Sequence, residues 1–301
     1  MKLLDLSQPI YKGIPVYPGD PLFESRPFAE HETDGYRGTR YVVGSHLGTH
    51  LDAPFHAFVD GETLDSFPID FFDGAAACLD LAPLVGPDSS RYRDRLDASR
   101  PAALSVDDLE PFEPIFDVVP IVVFRTGWSV AFGDNEYYCD FPSLSPELCD
   151  WLADYPTLRI LGLETPSLVA QLSAHEAPEV SDVREKFDPE LGEFLPERVP
   201  DPALASALSA PETSENRPRP FDEIELHADS ECHRILLGRR PPILILEGLV
   251  NLESLPQYSR PENSAPVVLD DAKRFELSCY PLPIRGADGA PARVVARIPE
   301  P

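Results

Sequence analysis

The chain has 301 residues and a hydrophobic fraction of 43%, enough for one large core or two small ones. Its 52 acidic against 25 basic residues give a formal charge of −27, which disfavours nucleic acid and anionic lipid as partners. No run of about 18 apolar residues offers a membrane span, and Asp5 and Pro9 interrupt the start before a secretory apolar run can form; a soluble, cytoplasmic protein is expected.

Residues 3–21 read as a strand followed by a proline-punctuated loop, Ile14-Pro15-Val16-Tyr17-Pro18-Gly19-Asp20. Tyr41-Val42-Val43 is a short strand leading into a histidine cluster. Pro120 to Phe124 is a compact apolar run of the buried-strand kind, with a loop at Arg125-Thr126-Gly127-Trp128. A helix opens at Ser145-Pro146-Glu147, with serine as its cap, proline at its first position and Leu148, Trp151 and Leu152 as its apolar stripe. Leu158 to Leu163 is the next strand, and strand, helix and strand in succession indicate an α/β element.

From about Glu176 to Glu223 acidic residues and prolines alternate without clear periodicity, the composition of an insertion, lid or arm. A helix through Glu231–Leu237 and a buried strand, Ile243–Val250, follow. Phe275–Ile298 reads as a hairpin turning near Gly286-Ala287-Asp288-Gly289.

The five cysteines are scattered and never form a Cys-x-x-Cys pair, which argues against a disulfide framework or a thiolate zinc site. Cys232 reads as a small, half-buried hydrophobe. Only four lysines are present, and an acid-rich, lysine-poor surface matches the soluble proteins of salt-loving microbes, whose self-repulsion is screened by salt.

Three of the seven histidines and an aspartate fall between His46 and His56. Imidazole and carboxylate are the usual ligands of a catalytic divalent metal, which needs about three protein ligands and an open position. On a straight strand His46 and His50 would stand about 13 Å apart, too far for one ion with bonds of about 2.0–2.1 Å. The strand is therefore predicted to end near Gly44 and the backbone to bend through Gly48-Thr49, so that His50 and Asp52 reach the same ion. Pro54 is expected to tilt the chain away from helix, leaving His56 across the metal as an acid/base.

Such a loop needs distant ligands. Glu247 interrupts an otherwise apolar strand, and ligation would remove the cost of burying its charge. His233, on the preceding helix, converges with it if helix and strand pack together. His31, His175 and His227 lack ligand partners at useful spacing and read as surface residues.

The segment His46-Leu-Gly48-Thr49-His50-Leu-Asp52-Ala-Pro54-Phe-His56 resembles the His-x-Gly-Thr-His-x-Asp-x-Pro-x-His motif of the cyclase family, which includes bacterial kynurenine formamidases and isatin hydrolases. Pro15 to Asp20 resembles the family's N-terminal loop, in which an aromatic at the place of Tyr17, typically tryptophan in the bacterial formamidases, contacts substrate. Arg125–Trp128 and Gly162–Ser167 look like two further family blocks, the second usually carrying Asp where Glu164 stands. His233-Arg-Ile-Leu236-Leu237 and Ile245–Leu249 are similar to the family's helix and strand, with a spacing two residues longer than expected, absorbed in Arg239–Pro242. The likeness covers most of the chain, interrupted near Pro83–Val106 and Glu176–Glu223.

The resemblance implies an α/β protein of the cyclase-like swivelling β/β/α fold, a barrel-like mixed sheet with flanking helices, built as one domain. It implies His46, His50 and Asp52 around a first metal, Asp52 and Glu247 bridging to a second, and His233 on that second ion. His56 is the acid/base and Tyr17 the substrate contact. The ion is Zn2+ as in the formamidases or Mn2+ as in the isatin-type relatives, one or two per chain, and the assembly is a homodimer or higher homo-oligomer. Hydrolysis of an amide-like C–N bond in a small, aromatic substrate follows, with a cyclic amide or a metal-binding protein without turnover as the alternatives.

The composition makes its own prediction. Raising salt from about 0.1 to about 1 M, which shortens the screening length from about 10 to about 3 Å, is expected to raise Tm. A Tm that stays level or falls across a KCl titration refutes the salt-adapted reading.

Overall fold

The computed structural model describes residues 1–17, 19–98, 102–170 and 228–299. The acidic segment expected at 176–223 lies outside them, as do His175 and His227. The strands, in chain order, are β1 (Lys2–Asp5), β2 (Glu24–Ala29), β3 (Gly38–Val42), β4 (His50–Asp52), β5 (Asp73–Asp80), β6 (Ala103–Leu104) and β7 (Ile121–Arg125). After them come β8 (Ser143–Leu144), β9 (Ile160–Leu163), β10 (Leu244–Glu247), β11 (Gln257–Ser259), β12 (Arg274–Pro281) and β13 (Gly289–Ile298).

The apolar runs of β5, β7, β9 and β10 become parallel neighbours, because strands apolar on both faces need cover on both. Ala76 to Leu79, Ile121 to Phe124 and Leu244 to Leu246 have no exposed surface at all. The sheet continues antiparallel through β12 and β13 on one side and β4 on the other, and β4 pairs back to β13. The result is a closed ring, β13-β12-β5-β7-β9-β10-β4, with β1 paired to β13 and β11 to β5. A mixed, barrel-like sheet with helices around it is the expected α/β architecture. Separate two-stranded sheets join β2 to β3 and β6 to β8.

The helix between β7 and β9 spans Pro146–Ala153, and Ser145 Oγ accepts from Leu148 N at 3.2 Å, satisfying a donor that the first turn leaves open. Leu148 and Leu152 are fully buried, while Trp151 is half-buried and packs edge-on against Phe116 and Tyr155. The helix Ala228–Gly238 buries Cys232, Leu236 and Leu237; Cys232 is thus fully rather than half-buried, with its thiol 3.8 Å from Leu144 O. Among the described residues no helix is long and apolar enough to cross a membrane.

One local expectation is corrected. Pro54 does not turn the chain away from helix but opens a single turn, Pro54–Ala57. Proline fits there because its missing N–H is one that the start of a helix would leave unpaired, and its φ is already helical. Its restriction falls on the residue before it, and Ala53 is extended, at φ −105 and ψ 162.

Outside the ring, Asp108 joins two local helices. Its carboxylate accepts from Arg91 Nη1 and Nη2 at 2.7 and 2.9 Å, and from Ser105 N and Oγ at 2.9 Å each. Burial opposes its charge, but these bonds prevail and hold the carboxyl below its ordinary value. A depressed carboxylate contributes stability that is present above the unfolded value and lost as pH falls through the folded one. Asp108→Ala is therefore expected to cost about 2–3 kcal/mol in urea unfolding at neutral pH, allowing for the exposure of Arg91. The gap from wild type should narrow once the pH drops below about 3.9.

Candidate metal centre

Strand β4 brings the histidine cluster to one end of the ring. Its antiparallel register places His50 opposite Glu247 of β10, and Asp52 opposite Gly289 of β13. Since strand side chains alternate, His50 and Asp52 share a face. The chain reverses before β4 as predicted: β3 ends at Val42, and Gly48 takes a φ of +63. Thr49 anchors the bend, donating to Gly248 O at 2.6 Å and accepting from Gln8 N at 2.8 Å. Gly248, at φ +70, could carry no side chain, because a Cβ there would lie 2.7 Å from Gly48 O.

Three of the expected ligands, His46, His50 and His233, surround a fourth, Asp52, and two of them also approach the fifth, Glu247, although His46 and His50 fall in different candidate groups rather than in the one set expected. His46 Nδ1 lies 2.8 Å from Asp52 Oδ1, and His50 Nε2 is 3.4 Å from the same oxygen and 3.3 Å from Glu247 Oε2. His233 Nε2, from the long helix, is 3.5 Å from Asp52 Oδ2 and 3.6 Å from Glu247 Oε1. Between His233 and Glu247, Arg239 donates to the carbonyls of Tyr155 and Leu158. Two groups place one ligand atom per residue within 4.8 Å of the others: His50-Asp52-Glu247 and His46-Asp52-His56. Asp52 belongs to both.

These residues fit a divalent cation on three grounds. Ligands bonded at about 2.1 Å in tetrahedral geometry stand about 3.4 Å apart, and the His50 and His233 separations to the carboxylates cluster about that value rather than at hydrogen-bond length. His50 Nδ1 is 2.9 Å from Gly48 O, a carbonyl that can only accept, so Nδ1 donates and Nε2 faces the carboxylates. Buried atoms His50 Nε2 and Glu247 Oε1 have no hydrogen-bond partner, a costly state that ligation relieves.

Charge points the same way. Burial works against a charged imidazole at His46 and His50. Asp52 and Asp288 nevertheless push His46 up to about 9, and Asp52 and Glu247 push His50 up to about 10. Asp52, whose charge burial opposes, is held well below its usual range by His46, His233 and His50. The buried carboxylates call for a positive partner beside them, a proton or a cation.

His56 is the third residue of the Pro54–Ala57 turn, its N–H bonded to Ala53 O at 2.9 Å. Its ring stands 4.2 Å from that of His46 and 5.4 Å from that of His233, and its side chain is 35% exposed, so it faces the cluster from the open side. Tyr17 sits among aromatics, edge-on to Tyr138 at 5.8 Å and packed on the cluster of Trp128, Tyr137, Tyr138 and Phe141. Gln8 links this wall to the bend: its side chain donates to Tyr137 Oη at 2.7 Å while its backbone bonds Thr49. His31 is exposed, as expected.

Two carboxylates gain roles that the sequence did not assign. Glu164 is buried and accepts from Thr126 N at 2.7 Å, from Gly127 N, and from Ser129 Oγ at 3.0 Å, fastening the Arg125–Trp128 block to the end of β9. Burial outweighs these bonds and raises its pKa. Asp288, read only as part of a hairpin turn, places Oδ2 3.0 Å from His46 Nε2. A lone acid in a glycine turn carries no local signal of a contact so remote in sequence.

The Cyclase family model matches residues 4–169, more than half of the chain. The protein belongs to the cyclase family. Among curated relatives, kynurenine formamidase of Erythrobacter litoralis is 28% identical over 188 residues, 61% of this chain and 76% of that protein. Kynurenine formamidase of Salinibacter ruber is 25% identical over 258 residues, 85% of this chain and 77% of the relative. Isatin hydrolase A from Labrenzia aggregata superposes with a TM-score of 0.63 at 19% identity, covering 99% of this chain and 94% of that one. Isatin hydrolase A from Ralstonia solanacearum gives 0.61, also at 19% identity, over 99% and 92% of the two chains. The fold is that of these hydrolases.

Zn2+ or Mn2+ at a hundred times its Kd is expected to raise the unfolding free energy of the metal-free protein by about 2.7 kcal/mol. Asp52→Ala should remove that gain in calorimetry with and without chelator. If the gain survives the substitution, the ion is bound elsewhere.

Proposed function

We propose that this protein is a metal-dependent hydrolase that cleaves the C–N bond of a small, aromatic amide, an arylformamide of the N-formylkynurenine type being the first substrate to test. The observation that supports it most is the convergence of His46, His50, Asp52, His233 and Glu247 on one buried end of the ring, with His56 facing them from the exposed side. A protein that only stored metal would have no use for a half-exposed imidazole, His56, on the open side of the buried ligands.

On this reading His46, His50 and Asp52 hold a first cation, and Asp52, Glu247 and His233 hold a second where two are bound. Nitrogen and carboxylate donors suit Zn2+ and Mn2+ alike. When bound, the cation supplies Lewis acidity and lowers the pKa of water from about 15.7 toward about 7 in zinc sites. His56 takes a proton from the attacking water as the C–O bond forms, then returns it to the leaving nitrogen as the C–N bond breaks. Burial of His50, Asp52, His233 and Glu247 keeps bulk water from competing for the ligand atoms. Tyr17 and the aromatic wall beside it pack against the flat part of the substrate.

The name of the curated relatives supports the formamide reading. Tyr17 stands where bacterial formamidases typically carry tryptophan, which makes a cyclic amide of the isatin type the second substrate class to test. In this proposal the chain works as a homodimer or higher homo-oligomer, in a salt-rich medium that screens its charge.

Assays of the metal-loaded protein on an arylformamide and on isatin, with and without chelator and at high salt, test the activity. His56→Ala should lower kcat by about 10²–10⁴-fold while metal content stays at the wild-type level. Loss of metal in that variant would make His56 a ligand, and wild-type turnover would refute its acid/base role.

A further inference from the structure

Asp288 is outside both ligand groups, yet its Oδ2 approaches three side chains of the site. It lies 3.0 Å from His46 Nε2, 3.3 Å from Ser45 Oγ and 3.8 Å from His56 Nδ1. Its backbone is held independently of that carboxylate: Asp288 O accepts from Ala53 N at 2.8 Å, and Ala287 O from Leu64 N at 2.9 Å. The next residue, Gly289, pairs with Asp52 across the β4–β13 seam. A Cβ on Gly289 would stand 2.9 Å from His46 Cε1 and 2.8 Å from Leu51 O, so a bare backbone is what lets the His46 ring lie beside Asp288.

The proton inventory of His46 then follows. Both flanking carboxylates only accept, so the neutral ring donates either from Nε2 to Asp288 or from Nδ1 to Asp52. In the tautomer that donates to Asp288, Nδ1 carries the lone pair, and Nδ1 is the atom 2.8 Å from Asp52 Oδ1. Two lone pairs at that separation require a positive charge beside them, a proton or a cation.

We propose that Asp288 is a positioning residue with two tasks: it fixes His46 in the tautomer that leaves Nδ1 open to a cation, and it provides the counter-charge beside His56 Nδ1 when that ring takes up a proton. The first task requires only that a cation binds; the second rests on the hydrolase reading above. Carboxylates in this position behind a ligating imidazole raise its basicity and fix its orientation.

Calorimetric titration of the chelator-stripped full chain with Zn2+, and separately with Mn2+, tests the first task. Asp288→Asn, nearly the same shape without the charge, is expected to weaken binding about 10–100-fold. Asp288→Glu, which keeps the carboxylate, should recover part of that loss. Asp65→Asn serves as the control, since Asp65 accepts from Gly286 N at 2.8 Å in the same turn and touches neither imidazole; wild-type affinity is expected. For the second task, kcat of Asp288→Asn at saturating metal should fall while KM holds.

Wild-type affinity in Asp288→Asn overturns the first task, and so does an equal loss in Asp65→Asn, which would reduce the effect to turn shape. Unchanged kcat at saturating metal overturns the second. A wild-type chain that takes up neither ion overturns the whole proposal. One that binds metal, loses it in Asp288→Asn, and turns over no amide supports the first task and sinks the hydrolase reading.

Discussion

Two carboxylates, Asp52 and Glu247, are buried to 1% and 3% exposure at one end of a closed sheet. Burying such charges is unfavourable by several kcal/mol each unless positive charge and hydrogen bonds offset it. The surroundings answer that demand with His46 and His50, from the bend and strand at β4, and His233, from the long helix. The ring geometry follows, because only a closed sheet brings the short strand β4 against β10 and β13 together.

The neighbouring strand ends show the same problem solved in two ways. Glu164 follows β9 and Glu247 ends β10, and both are buried. Glu164 is satisfied by backbone and hydroxyl donors from the Thr126–Ser129 loop, so it needs no ion and acts as a fastener. Glu247 keeps an oxygen without a hydrogen-bond partner, facing His233 at 3.6 Å. One carboxylate consolidates a loop; the other leaves valence free for chemistry.

Local signals carried much of this architecture. The Ser145-Pro146 helix start, the apolar strands around Val122 and Ile245 and the bend at Gly48 are encoded within a few residues and stand as expected. The ligand motif was legible because three of its members lie close together, and Glu247 because a charge inside an apolar run demands a reason. Pro54 misled because proline both bars helix behind it and favours helix ahead, and which effect governs depends on position. Ring closure and Asp288 were illegible for one shared reason. Both depend on β13 returning to β4, a pairing between segments more than two hundred residues apart that no window of sequence contains.

That seam has a bearing on assembly. Pairings between remote segments bear the largest loop-closure cost. β4 carries both His50 and Asp52, and it is held on one side by β10, opposite Glu247, and on the other by β13, opposite Gly289. A cation held by His50, Asp52 and Glu247 would tie β4 to β10, and so brace from one side the short strand that β13 closes from the other.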